Sequence, residues 1–107
     1  MTMKENDFEI KEDRVQGGAV RYTVIGRVNT INAPALKNKL EEAIQDEELN
    51  IILNMSQVKY LSSNGISAIL NIYKQAENAG GKFGIERPSE VVKNVLGMTA
   101  LDKMLIV

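Results

Sequence analysis

The sequence predicts an α/β fold: one domain, residues 1–107, in which a mixed β-sheet of four to five strands carries α-helices packed mainly on one face. Hydrophobic residues alternate with polar ones near the N-terminus, as in a half-buried strand. Further along the chain they recur at intervals of three and four residues between short apolar runs. A hairpin followed by alternating helices and strands implies right-handed crossovers onto one sheet. A chain of 107 residues is long enough to bury one core.

An N-terminal hairpin is predicted over residues 8–28. Its turn contains Gln16 and the two glycines that follow it. In the second strand Val20, Tyr22 and Val24 alternate with polar side chains, which is the period of a strand with one buried face.

A first helix is predicted to begin after Asn32. The side-chain oxygen of Asn32 can accept hydrogen bonds from the free amides of a helix start, and the fixed φ of Pro34 suits the first turn. Apolar residues then recur at helical spacing and form the predicted buried face: Ala33, Leu36, Leu40, Ala43 and Ile44.

A short apolar run at residues 49–55 predicts a strand in the centre of the sheet. Its consecutive residues Ile51, Ile52 and Leu53 are typical of a strand that is covered on both faces. A second helix follows the polar residues 62–65, and its apolar positions again have helical spacing: Ile66, Ile69, Leu70 and Tyr73.

Glycine and proline divide the C-terminal third into its elements. Residues 79–81 end the second helix, a short strand passes through Phe83, and residues 88–89 open a third helix that ends at Gly97. Residues 104–107 are predicted to form a last edge strand. Apolar patterns favour core positions over partner contacts for five further side chains: Tyr60, Tyr73, Met55, Met98 and Met104.

Composition and charge exclude several classes of function. The chain has 13 basic and 14 acidic residues, so no overall field attracts it to nucleic acid or to a membrane surface. It has no histidine and no cysteine, the side chains that most often supply acid–base catalysis, nucleophiles and soft metal ligands. We therefore expect no catalytic residues, no metal site, no cofactor and no enzymatic activity. The polar start, residues 1–7, lacks the apolar core of a signal peptide, and we expect a cytoplasmic protein.

One segment remains as a candidate site: Ser62, Ser63, Asn64 and Gly65. These residues stand between a buried strand with its following loop and a helix start, where backbone amides lack internal partners. A phosphate on a serine there would be tolerated by the helix dipole and would add about −1.5 to −2 charges to the surface. The residue pattern alone favours a simpler interpretation, an ordinary N-cap and turn.

Three segments resemble one known family. Residues 54–66 read NMSQVKYLSSNGI, which resembles the signature of the STAS domain of bacterial anti-sigma factor antagonists. Residues 26–36 (GRVNTINAPAL) are similar to the family's second strand, loop and first helix, and residues 96–105 read LGMTALDKML, as near the family's C-terminus. The resemblance covers most of the chain in the family's order, and it makes residues 1–107 one STAS domain.

This resemblance implies a function in partner switching. Ser63 occupies the position of the serine that an anti-sigma factor serine kinase phosphorylates, with Ser62 as an alternative acceptor. The unphosphorylated antagonist binds the kinase and releases a sigma factor, and a serine phosphatase reverses the modification. The expected partners are thus the kinase and the phosphatase, with no nucleic acid and no membrane. The implied partner-binding residues are Asn29, Ser62, Ser63, Asn64, Gly65 and Ile66.

The chain departs from the family pattern at four positions. Asn29, Asn54 and Ser62 stand where the family commonly has aspartates, and Asn64 stands where it has serine or threonine. Loss of acidic residues beside the serine changes the charge that a kinase meets. An alternative function is a scaffolding STAS module that binds proteins without phosphorylation, and a nucleotide-binding or enzymatic role ranks last because no phosphate loop is visible.

Overall fold

The computed structural model describes residues 2–4, 7–15, 17–48 and 50–107, and it has the predicted α/β architecture. The described residues form a mixed sheet of five strands and four helices. In chain order these are β1 (Thr2–Lys4), β2 (Phe8–Arg14), β3 (Val20–Val28), α1 (Ala33–Gln45), β4 (Asn50–Leu61), α2 (Ser63–Asn78), β5 (Lys82–Glu86), α3 (Glu90–Met98) and α4 (Asp102–Leu105). The strands lie side by side in sequence order.

The N-terminal half of the sheet is antiparallel. Strand β2 pairs with β3 along its length, from Phe8 opposite Gly26 to Arg14 opposite Val20, which confirms the predicted hairpin. Gln16 of the predicted turn lies outside the described residues. Strand β1 pairs with β2 and was not predicted, because an edge strand can be held by backbone hydrogen bonds without an alternating apolar pattern.

The C-terminal half of the sheet is parallel, and β4 lies between β3 and β5 as predicted. Ile51 and Leu53 of β4 are buried, whereas Ile52 is half-buried on the other face. The prediction that this strand is covered on both faces was therefore wrong, because residues of all four helices join a single core cluster with the inward side chains of the strands. Leu49, the predicted first residue of this strand, lies outside the described residues.

Helix α1 has the predicted buried face and begins after Asn32 as predicted, but without the predicted capping hydrogen bond. Ala33, Leu36, Leu40 and Ala43 are buried, and Asn32 stands at the N-cap position. Its side chain makes no capping hydrogen bond. Asn32 is instead buried, and its Nδ2 donates to the carbonyl oxygen of Arg27 at 2.7 Å. The predicted capping role was wrong because the side chain turns back to the preceding strand.

The C-terminal segment differs from the prediction in two respects. Helix α3 runs through Gly97 to Met98, and the left-handed residue after it is Ala100, with φ of 59°. Residues 104–107 do not form an edge strand, because α4 occupies Asp102–Leu105 and only a single bridge follows, between Ile106 and Ile85. The side chains of Met98 and Met104 are 81% and 42% exposed and do not belong to the core.

Candidate functional site

The candidate site lies where β4 passes directly into α2. Strand β4 ends at Leu61 and α2 begins at Ser63, so Ser62 alone connects them. The expected loop is absent from this junction, and residues 63–65 form the first turn of the helix. The backbone amide of Ser62 donates to the carbonyl oxygen of Val28 at 2.8 Å, which ties the junction to the end of β3.

Ser62 is the N-cap of α2. Its backbone is extended, with φ of −86° and ψ of 169°, and its Oγ accepts a hydrogen bond from the amide of Gly65 at 3.1 Å. Such a bond satisfies one of the amides that a helix start leaves without an internal partner. The simple N-cap interpretation therefore applies to Ser62.

Ser63 occupies a different environment, although it is the next residue. It is the first residue of α2 and is exposed. Among the residues that the structure describes, none forms a hydrogen bond with the hydroxyl group of Ser63. One serine thus stabilises the helix start, and the other presents its hydroxyl group to solvent.

Gly65 lets the helix start approach the sheet closely. A Cβ atom at this position would lie 2.7 Å from Cγ1 of Val28 and 2.8 Å from Cδ1 of Leu61, shorter than a normal contact. Ile66 follows, half-buried against the core cluster, with its amide donating to the Ser62 carbonyl oxygen at 3.0 Å. Gly65 and Ile66 therefore fix the position of the site and expose little surface of their own.

The turn between β3 and α1 lies beside this junction and contains Asn29. The Oδ1 of Asn29 accepts hydrogen bonds from the amides of Ile31 at 3.0 Å and Asn32 at 2.9 Å, which closes the turn. Thr30 Oγ1 lies 3.5 Å from Asn64 Oδ1, at the outer limit of a hydrogen bond. The structure thus brings Asn29 and its turn next to the first turn of α2, as the predicted site requires.

Asn54 lies away from this site. It pairs across the sheet with Thr23 and Glu86, well before the end of β4. Its Oδ1 accepts hydrogen bonds from the amide of Ser56 at 3.0 Å and from the Ser56 hydroxyl at 2.8 Å. Asn54 therefore shapes the strand locally and does not contact the described residues of the first turn of α2.

Sequence reasoning missed three side chains beside the site. Ile31 in the Asn29 turn is 73% exposed, and Tyr60 near the end of β4 is 41% exposed. The guanidinium carbon of Arg27 lies 4.7 Å from the centroid of the Tyr60 ring. Tyr60 was expected in the core, and that was wrong. An interruption of the strand register opposite Gly26 and Arg27 leaves both Lys59 and Tyr60 exposed, and no sequence signal marks such an interruption.

An open groove of about 390 Å³ continues from the site between α1 and α2. Its lining combines apolar and polar residues: Ala33, Pro34, Ala68, Lys37, Asn38, Asn64, Ser67 and Asn71. Within the described part of the chain, no group of three Asp or Glu side chains is placed to hold a metal ion. Over the same residues, no helix is long and apolar enough to span a membrane. The arrangement offers a surface for another protein and a hydroxyl group for modification.

Comparison with known proteins decides the family. The sequence model of the STAS domain matches residues 11–107. The chain belongs to the STAS domain family. The resemblance carried by residues 54–66 is thereby confirmed.

This STAS domain is similar to several anti-sigma factor antagonists. A Thermotoga maritima protein named as a candidate anti-sigma factor antagonist is 32% identical over 78 residues, which are 72% of this chain and 69% of that protein. The anti-sigma-F factor antagonist RsfB of Mycobacterium tuberculosis is 26% identical over 86 residues, which are 80% of this chain and 70% of RsfB.

A solved structure shares the fold of this STAS domain. The anti-sigma factor antagonist SpoIIAA in its unphosphorylated form superimposes with a TM-score of 0.79 at 19% identity, over 91% of this chain and 85% of SpoIIAA. At this identity the likeness establishes the architecture of the domain.

Proposed function

We propose that this STAS domain is an anti-sigma factor antagonist that binds an anti-sigma factor serine kinase and is switched by phosphorylation of Ser63. The observation that carries the proposal is the contrast between two adjacent serines. Ser62 Oγ accepts the capping hydrogen bond from Gly65 at 3.1 Å, whereas Ser63 is exposed at the first position of α2. The named functions of the relatives, including RsfB, support it.

In the proposed reaction this chain is a substrate and not a catalyst. The Ser63 oxygen attacks the γ-phosphorus of ATP held by the kinase, ADP leaves, and the hydroxyl proton passes to a base of the kinase. A serine phosphatase restores the hydroxyl by hydrolysis: water attacks the phosphorus, the bond to the Ser63 oxygen breaks, and inorganic phosphate is released. SpoIIAA, which shares the fold, has been solved in a phosphorylated form as well as an unphosphorylated one.

A phosphate at this position changes the surface more than the fold. Free amides and the helix dipole at the start of α2 favour negative charge by about 0.3 to 1 kcal/mol. The phosphate still adds about −1.5 to −2 charges at the centre of the proposed docking face, which consists of residues 29 and 62–66. We therefore expect phosphorylation to lower the affinity for the kinase while the domain stays folded.

Phosphate mapping tests the acceptor. The protein is incubated with ATP and the candidate serine kinase from its own genome, and the modified residue is located by mass spectrometry. We expect phosphate on Ser63, its loss in Ser63→Ala, and its retention in Ser62→Asn, since asparagine also caps helices well. Phosphate on Ser62, or no phosphate under conditions where the kinase binds, would refute the switch.

Calorimetry tests the effect of charge. Ser63→Ala should bind the kinase as tightly as the wild type, and Ser63→Asp should bind at least about ten-fold more weakly, since like charge in a docking face costs several kcal/mol. Asn78→Asp is the matched control, because it adds the same charge to α2 roughly 22 Å from Ser63 at 1.5 Å per residue. Equal affinity of Ser63→Asp and Asn78→Asp would argue against the proposal.

One observation favours the scaffolding alternative. An apolar depression of about 290 Å³ lies at the start of β4 and β5 and is lined in part by Ile52, Phe83 and Val107. Val107 is 80% exposed. Under this alternative the domain assembles through this region and Ser63 stays unmodified. Analytical ultracentrifugation of the wild type and Val107→Asp distinguishes the two, since only assembly through this region depends on Val107.

A further inference from the structure

We propose that the partner of this STAS domain meets it with an apolar pocket bordered by acidic side chains. The pocket receives Ile31, and the acidic border faces two cations beside it. We call this region the edge surface and define it by Arg27, Ile31, Lys59 and Tyr60. The inference rests on the proposed function and specifies the chemistry of its partner.

Ile31 has the features of an apolar anchor. It is 73% exposed, more than any other large hydrophobic residue of the Asn29 turn or its neighbouring strand ends. Its backbone is held by the hydrogen bonds from the amides of Ile31 and Asn32 to Asn29 Oδ1. A side chain on a fixed turn loses less backbone entropy on binding than one on a mobile loop. Ile31 is therefore prepared to enter a pocket.

Two cations belong to the strand ends of the edge surface. Arg27 and Lys59 are both exposed, at the ends of β3 and β4. Among the described residues neither forms an ion pair, whereas Arg14 pairs with Glu48 at 2.6 Å and Arg21 with Glu86 at 2.8 Å. The charges of Arg27 and Lys59 are thus available to a partner.

Hydrogen bonds make the edge surface continuous with the Ser63 site. Asn32 Nδ2 donates to the Arg27 carbonyl oxygen at 2.7 Å, so the turn that carries Ile31 returns to the strand that carries Arg27. On the other side, the amide of Ser62 donates to the Val28 carbonyl oxygen at 2.8 Å. These bonds connect both the turn that carries Ile31 and the strand end that carries Arg27 to the Ser63 site, and we infer that a protein covering Ser63 reaches the edge surface.

The local charge favours an acidic partner. Asn29 and Ser62 stand at positions where the family resemblance expects aspartates, and Arg27 lies two residues before Asn29. The described residue Asp7 is tied to this strand end through its carbonyl oxygen, which accepts a hydrogen bond from the Arg27 amide at 3.2 Å. The four residues that define the edge surface include two cations and no acidic side chain, although the whole chain has a formal net charge of −1.

An acidic partner also explains how phosphorylation weakens binding. A phosphate on Ser63 would face the acidic border of the partner, and like charges across an interface reduce affinity. The same phosphate would compete with that border for the nearby cations. The acidic border of the partner is therefore attracted to the edge surface before Ser63 is phosphorylated and is repelled by the phosphate afterwards.

Calorimetry with the candidate kinase tests the anchor and the cations separately. We expect Ile31→Ala to weaken binding by about ten-fold or more, as for an interface hot spot. Met98→Ala, at an apolar side chain that is 81% exposed on α3, should change the affinity for the kinase by less than about two-fold.

The charge reversal Arg27→Glu/Lys59→Glu should weaken binding of the kinase by about ten-fold or more and remove its salt dependence. Lys74→Glu/Lys103→Glu makes the same change in net charge on α2 and α4 and should bind as the wild type does.

The outcomes separate this inference from the proposed function. If Ser63→Asp weakens kinase binding and the charge reversal at Arg27 and Lys59 does not, the switch stands and the acidic partner is refuted. If the reversed protein binds more tightly, the partner surface is basic and the inference is also refuted. Loss of affinity in both sets of variants supports both.

A second measurement tests the inferred chemistry of the partner if no candidate kinase binds. The probe is a twelve-residue glutamate-rich peptide with one central leucine, titrated into ¹⁵N-labelled protein. We expect chemical-shift changes at residues 27–31 and 59–65, which disappear in Ile31→Ala and in the charge reversal. Changes spread over other exposed lysines, or equal binding of a single-stranded oligonucleotide regardless of Ile31, would overturn the inference.

Discussion

Adjacent serines at the start of α2 have different environments because the helix begins between them. Ser62 keeps an extended backbone and directs its oxygen to the amide of Gly65, while Ser63 already belongs to the helix. The sequence could place the serine pair at a helix start, but it could not assign the cap. That assignment depends on whether β4 ends at Leu61 or earlier, and tertiary pairing with β3 decides it.

Replacement of each serine by alanine should separate these roles. Ser62→Ala removes the capping acceptor and should lower the free energy of unfolding by about 1 kcal/mol. Ser63→Ala should change it by less than about 0.5 kcal/mol, the usual range for an exposed position. Urea denaturation measures both, and Ser62→Asn should retain most of the wild-type stability. Equal destabilisation by both alanine variants would contradict the cap assignment.

Tyr22 gives a residue-scale prediction at high pH. Burial, followed by the charge of Glu12, raises the pKa of Tyr22 from 10.0 to about 12. Between these two values the unfolded chain has lost the phenolic proton and the folded chain retains it, so stability falls as the pH rises. The effect is absent below pH 10, where both states hold the proton.

Urea denaturation at pH 9 and pH 11 measures this loss. The wild type should lose more stability than Tyr22→Phe over this interval, by up to about 1.4 kcal/mol per pH unit of tyrosine titration. The interval from pH 7 to pH 9 is the control, because Tyr22 holds its proton in both states there and the two proteins should change in stability by the same amount. Identical pH dependence in wild type and Tyr22→Phe would show that Tyr22 titrates normally.

At the scale of elements, the contact between α2 and the strand ends depends on a glycine. Gly65→Ala would place a Cβ atom 2.7 Å from Val28 Cγ1, and relief of this contact should cost about 1 to 3 kcal/mol. Gly97→Ala in α3 is the matched control, because a Cβ atom at position 97 would meet no atom within 4 Å apart from its chain neighbours and the nearby helix backbone, and alanine favours helix. Thermal unfolding should show a lower Tm for the first variant and an equal or higher one for the second. A neutral Gly65→Ala would mean that α2 can move away from the sheet.

The elements show which sequence signals were sufficient. The spacing of Leu36 and Leu40 predicted the buried face of α1, and the glycines at residues 80–81 predicted the end of α2, where Gly80 takes φ of 82°. The end of α3 was missed because glycine at position 97 is helical and alanine at position 100 takes the left-handed conformation. Such a choice depends on the packing of the segment that follows, which local propensity does not contain.

At the scale of the whole molecule, the C-terminal segment completes the core. Leu105 of α4 is fully buried, and the amide of Val107 donates to the Ile85 carbonyl oxygen at 2.9 Å. Leu105→Ala should therefore lower the free energy of unfolding by about 2 to 5 kcal/mol. Met104→Ala, at the preceding position with 42% exposure, should cost less than about 1 kcal/mol. Chemical denaturation of both variants tests this, and similar losses would indicate that α4 is not fixed against the core.

The overall architecture was predictable because periodicity repeats over many residues. Alternation in β3 and helical spacing in α1 and α2 each rest on several positions, so the α/β arrangement did not depend on any one of them. The edge surface was not predictable, since Arg27 and Ile31 come together with Lys59 only through strand pairing and the Asn29 turn. Contacts between distant segments leave no periodic trace in the sequence.

The direct passage from β4 into α2 has a consequence for substrate recognition. Many kinases draw an acceptor serine into their cleft on an extended, pliable segment. Ser63 has no such freedom, because Ser62 is tied to Val28 and Gly65 lies against the sheet. An enzyme that modifies Ser63 has to read a folded surface assembled from distant segments, so a linear peptide of residues 54–66 lacks the information that this enzyme needs.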